Sequence, residues 1–110
     1  MRDQLVEFKM PRVTIKEKDY QKLKEKGYEI IEKPEIRNIT IYKNKKEIAQ
    51  INLSKLGELY FRNGGTYRII KWVEITLIQD GIRFAMGDEK EKPRYYAQFQ
   101  EKNNKMNFLN

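Results

Sequence analysis

The chain has 110 residues, a net charge of +7, 35% charged and 39% hydrophobic side chains, and neither cysteine nor histidine. This inventory excludes a disulfide scaffold, a Cys/His zinc site, and nucleophilic catalysis by Cys–His or Ser–His pairs within one chain. It suits one small domain, because thirteen isoleucines, seven tyrosines and five phenylalanines supply the bulk that a core needs.

Taken in chain order, residues 5–9, LVEFK, read as a short strand. Thr14-Ile15-Lys16-Glu17 matches the S/T-x-x-E capping box. With Gly27 as a left-handed stop and Lys22, Lys24 and Lys26 at the negative end of the dipole, the pattern predicts a helix over 15–26. Ile15, Tyr20 and Leu23 form its narrow apolar stripe. After Gly27 the period drops to two. A strand over 28–32 ends before Pro34, and two alternating runs, 36–43 and 47–53, surround a polar loop at 44–46. The densest basic cluster of the chain, Lys43, Lys45 and Lys46, lies at that loop.

Ser54 is placed to cap a short helical turn through Phe61, although Gly57 weakens it. Asn63-Gly64-Gly65 reads as a turn. Residues 66–79 form the longest apolar run, a strand with a bend or bulge expected near Lys71. Read as one strand, it places Tyr67, Ile69, Val73, Ile75 and Leu77 on one face and Arg68, Ile70, Trp72 and Glu74 on the other. Asp80-Gly81 marks a hairpin into Ile82–Met86. Residues 87–93 are a charged loop, 94–99 a further strand, and 100–110 a polar tail expected to fray unless Met106, Phe108 and Leu109 dock. The fold class implied is α+β: a mostly antiparallel sheet or small open barrel of five to seven strands, with one charged helix near the N-terminus, in a single domain over 1–110.

No stretch of signal-peptide length is apolar, and nowhere do about 18 apolar residues run together. The expectation is a cytoplasmic protein with no membrane partner. Lysines outnumber arginines, 16 to 7, and alanine occurs three times. With Ile, Asn, Lys and Tyr abundant, the residue usage is that of AT-rich codons, an association with low-GC genomes and their phages, plasmids and other mobile elements; lysine and glutamate enrichment is equally a thermophile association.

A basic balance favours polyanionic partners. The favoured function is therefore a small, non-enzymatic protein binding nucleic acid or a nucleoprotein complex through an electropositive sheet face. Lys43, Lys45, Lys46, Arg68, Lys71 and Arg94 would meet phosphates, and Trp72 and Tyr96 would stack bases. The plainer reading of the same residues is structural: Trp72 packed in the fold, and basic side chains that solvate a sheet and blunt hairpin tips. Two alternatives are a stoichiometric inhibitor or adaptor docking on a host protein, such as a phage-encoded inhibitor of a defence nuclease, and a self-associating structural subunit. Glu7-Phe8-Lys9 and Asp88-Glu89-Lys90 resemble fragments of nuclease motifs, but such triplets arise by chance among 12 glutamates and 16 lysines. No cofactor is expected.

Overall fold

The computed structural model describes residues 4–63, 66–92, 95–100 and 105–109. Among the described residues the fold is α+β, with 57% strand, one α-helix near the N-terminus and no closed barrel. In chain order the strands are β1 (Leu5–Glu7), β2 (Thr14–Lys16), β3 (Tyr28–Lys33), β4 (Asn38–Lys43), β5 (Lys46–Leu53), β6 (Leu59–Asn63), β7 (Thr66–Ile70), β8 (Trp72–Leu77), β9 (Ile82–Gly87), β10 (Tyr95–Gln100) and β11 (Lys105–Phe108). The helix α1 (Glu17–Glu25) joins β2 to β3. These strands make two sheets, where the sequence reading expected one of five to seven strands. One is an antiparallel meander, β3-β4-β5-β6-β7, and the other runs β1-β2-β9-β8-β10-β11. Within the second sheet β8 and β10 are parallel, and the other neighbours are antiparallel.

The period-two alternation explains why the sheets bury one face each. Ile39, Ile51 and Phe61 lie opposite one another across β4, β5 and β6 and are fully buried. Val73, Ile75 and Leu77 of β8, with Met86, Phe84 and Ile82 of β9, form the matching layer. Both layers belong to one core cluster. Phe61 and Phe108 meet across it edge-to-face, centroids 5.1 Å apart, which joins β6 of one sheet to β11 of the other.

Four expectations are corrected. Thr14 does not cap a helix: Thr14–Lys16 is strand β2, the Thr14 hydroxyl donates to the Gly87 carbonyl, and α1 begins at Glu17. Long-range pairing with β1 and β9 outweighs the local capping signal there, and Ile15 is buried as a strand residue. Ser54 starts a tight turn rather than a helix, its Oγ accepting from the amides of Leu56 and Glu58. The interruption expected near Lys71 in the run 66–79 is there, but it is a full break: β7 and β8 belong to different sheets rather than to one bent strand. The face therefore inverts: Tyr67 and Ile69 are exposed, while Ile70, Val73, Ile75 and Leu77 are buried. The tail does not fray throughout, because Lys105–Phe108 forms β11 on β10 and Met106 joins the core.

Other expectations hold. Gly27 follows the helix with a φ of +88°. Residues 78–81 connect β8 to β9, with Gly81 left-handed, so the Asp80-Gly81 hairpin is present in a longer form. The Asn63-Gly64-Gly65 turn lies partly outside the described residues, and Asn63 pairs with Thr66 on either side of it.

Candidate nucleic-acid interface

The β4–β5 hairpin places the lysine cluster. Lys43 pairs with Lys46, so the connection is two residues, Asn44 and Lys45, where three were expected. Both have positive φ, +50° and +66°, which is the backbone of a type I′ turn. Tyr28, the first residue of β3, lies opposite Lys43, so Tyr28, Lys43 and Lys46 form one row across three strands. Just before Tyr28 the chain leaves α1 through Lys26 and Gly27, and a Cβ on Gly27 would lie 4.0 Å from Asn44 Oδ1. The end of the helix and the hairpin tip are thus neighbours. Lys24, Lys26, Lys45 and Lys46 are exposed around this end of the molecule.

Lys43 has a different environment. Its ammonium donates to Asp80 and lies 4.8 Å from the centre of the Tyr28 ring. The Tyr28 hydroxyl donates to the same carboxylate at 2.6 Å. These two hydrogen bonds, Lys43 first, hold the Asp80 carboxyl below its ordinary value, and the charges of Lys43 and Lys26 add to the effect. The carboxylate of Asp80 is therefore committed to Lys43 and Tyr28, and the exposed lysines around it share this end with exposed Glu25, Glu29 and Glu47.

The remaining residues singled out from the sequence do not join this end. Arg68 shares its row with Phe61, and its guanidinium lies 4.6 Å over the Phe108 ring, with Nε buried and unbonded. It points inward, because the parity switch at Lys71 reverses the face the sequence reading gave it. Trp72 is 8% exposed, too little to offer a stacking face. It starts β8, whereas Asp80 follows that strand's far end, roughly 20 Å away at strand spacing. Lys71 is exposed at the β7–β8 corner, 3.5 Å from Glu91. Tyr96 is exposed on the outward face of the second sheet, in one row with Glu74 and Ala85. Arg94 lies outside the described residues. The eight residues accordingly do not share one sheet face. Lys43, Lys45 and Lys46 stand together, and Lys26 joins them. Lys26 was missed as a site residue because its role as a helix-end lysine already explained it. Only the packing of α1 on β3 brings it to the hairpin.

A second feature lies at the Lys71 corner. A cavity of about 410 Å³ is lined by Arg12, Leu56, Gly57, Ile69, Lys71 and Glu91, among others. Arg12 crosses its wall to donate to the Gly57 carbonyl at 2.6 Å. Leu56 is 86% exposed and Ile69 50%. Among the described residues no three Asp or Glu side chains converge as metal ligands would, and no helix is long and apolar enough to cross a membrane. No family model, curated protein or solved structure matches this chain.

Proposed function

We propose that this chain is a small, non-enzymatic, cytoplasmic protein that binds nucleic acid, or a nucleoprotein complex, through the lysine end built by α1 and the β4–β5 hairpin. The observation that carries the reading is that Lys45 and Lys46 follow Lys43 around the hairpin tip while Lys26 comes close enough to act on the Asp80 that Lys43 holds. Lys43 neutralises Asp80, while exposed Glu25, Glu29 and Glu47 stand beside the other lysines, Glu29 and Glu47 in the row next to Tyr28, Lys43 and Lys46. The site differs from an electropositive sheet face: it is an end, it contains lysines rather than arginines, and Trp72 lies outside it. The backbone at Lys45 adds support. A lysine in the left-handed region is strained relative to glycine, and strain is tolerated where a side chain is needed. The test is anisotropy of a labelled oligonucleotide titrated at two salt concentrations with the wild type and Lys26→Gln/Lys46→Gln. The reading expects binding that weakens steeply with salt and weakens further in the variant. Binding of equal strength by both proteins would remove this end from the interface.

The corner groove favours a second reading, an inhibitor or adaptor docking on a host protein. Exposed Leu56 and Ile69 lie within a rim of Arg12, Lys71, Glu58, Asp88 and Glu91. A mixed-charge rim around apolar side chains suits a protein surface better than a phosphate backbone. Under the first reading Leu56→Asp/Ile69→Asp leaves oligonucleotide binding unchanged. Under the second it abolishes the protein's effect in its host, and Lys26→Gln/Lys46→Gln does not.

A further inference from the structure

Resting on the nucleic-acid reading above, we infer that the lysine end takes duplex rather than single-stranded nucleic acid and contacts its phosphates without sequence preference. Single strands gain much of their affinity from bases stacked on aromatic faces. Among the described residues the aromatic rings at the lysine end are part-covered: Tyr42, beside Lys43, is half-buried with the Lys33 ammonium 5.5 Å from its ring centre. The Tyr28 ring is 3% exposed and lies beneath Lys43. Tyr20 is half-buried, with Lys24 5.3 Å from its centre. The exposed tyrosines, Tyr67 and Tyr96, are on the outward faces of two different sheets.

Base-edge readout is missing for a related reason. Guanine is read by the planar fork of arginine and adenine by side-chain amides, whereas lysine acts on phosphate as a point charge. The cations here, Lys24, Lys26, Lys45 and Lys46, are all lysines. The amide of the turn, Asn44, has its Oδ1 beside Gly27. What remains is a set of point charges, Lys24 and Lys26 at the end of α1, Lys45 in the two-residue turn and Lys46 at the start of β5, with exposed Glu25, Glu29 and Glu47 beside them. That arrangement meets a rigid, closely spaced row of phosphates better than a flexible strand that must be ordered at an entropic cost.

The experiment compares a labelled 20-base-pair DNA duplex with its two separated strands, at low and physiological salt, using the full chain. The expected result is at least a tenfold preference for the duplex and equal binding of duplexes of unrelated sequence. Four phosphate contacts would give a slope of log K against log salt of about −3.6, falling to about −1.8 in Lys45→Gly/Lys46→Gln. Glycine suits the left-handed turn, so this variant keeps the hairpin. Equal or tighter binding of single strands, or a tenfold preference for one duplex sequence, overturns the inference and leaves the nucleic-acid reading standing. No binding of either form at low salt overturns both.

Discussion

Lys43 and Asp80 are 37 residues apart and belong to hairpins of different sheets, yet they form a part-buried ion pair, with side chains 13% and 19% exposed. The Tyr28 hydroxyl shares the carboxylate. This three-residue lock ties the β4–β5 hairpin to the turn between β8 and β9. Asp80→Asn removes the charged acceptor from both donors. A cost of about 1–3 kcal/mol is expected, read as a lower urea midpoint at neutral pH.

The same pair sets an acid response. Asp80 titrates below its ordinary value of 3.8, so its contribution is complete above that value and is lost as pH falls through the lower folded one. The gap in stability between wild type and Asp80→Asn should therefore close as pH drops below about 4. Urea midpoints of both proteins at pH 7 and pH 3 check this. A gap of constant size would show that the carboxylate's charge contributes nothing.

Gly87 sits where β9 passes under the β7–β8 corner. Its φ is +137°, and an added Cβ would lie 2.3 Å from the Lys71 carbonyl oxygen and 3.0 Å from Trp72 Cα. The obstacles are backbone, held in place by the Asp88 amide donating to that same carbonyl at 2.7 Å. Gly87→Ala should destabilise by about 2–4 kcal/mol, through combined strain and steric displacement. Thermal melting followed by Trp72 fluorescence would report it, since Trp72 pairs with Gly87.

The C-terminal strand gives a separate check on the core. Met106 is 1% exposed and lies opposite Phe99, while Phe108 packs edge-to-face on Phe61 and beneath Arg68. Met106→Ala should cost about 2–5 kcal/mol. A frayed tail would give no measurable change. Phe108→Ala should also expose the guanidinium of Arg68, which no longer has a ring to stack on.

The sequence made local pattern legible and left long-range pairing hidden. Ile82, Phe84 and Met86 alternate with Arg83 and Ala85, and the strand could be read directly because its whole length lies in one sheet. Gly27 could be read because a helix end needs a left-handed residue whatever surrounds it. Residues 66–79 misled because strand propensity continues through Lys71 while the chain changes sheets there. Treating the two halves as one strand reversed the faces of β7 and turned Arg68 outward. Thr14–Lys16 misled because three residues carry too little period to contest a capping motif, and only their neighbours β1 and β9 make them a strand. At the candidate site the three hairpin lysines were legible as a run. Lys26 and the Asp80 partner were not, since each reaches the hairpin from a distant segment.

Lys45 permits a test in which stability and function move in opposite directions. Its φ of +66° places it at the second central position of a type I′ turn, where Asn-Gly is the favoured pair and Asn44 already occupies the first. The left-handed conformation costs an L-residue about 1–2 kcal/mol, partly offset by the greater unfolded-state freedom of glycine, about 0.5–1 kcal/mol. Lys45→Gly should therefore stabilise the fold by about 0.5–1 kcal/mol, seen as a raised denaturation midpoint. If the lysine is held there for its charge, the same variant binds duplex more weakly, and the loss shrinks at high salt, where phosphate contacts contribute less. A variant that is both more stable and equally strong in binding would mean that the lysine serves the turn rather than a partner. A variant no more stable than the wild type would mean that the strain at residue 45 is already relieved by its neighbours, and the backbone argument for function would fail with it.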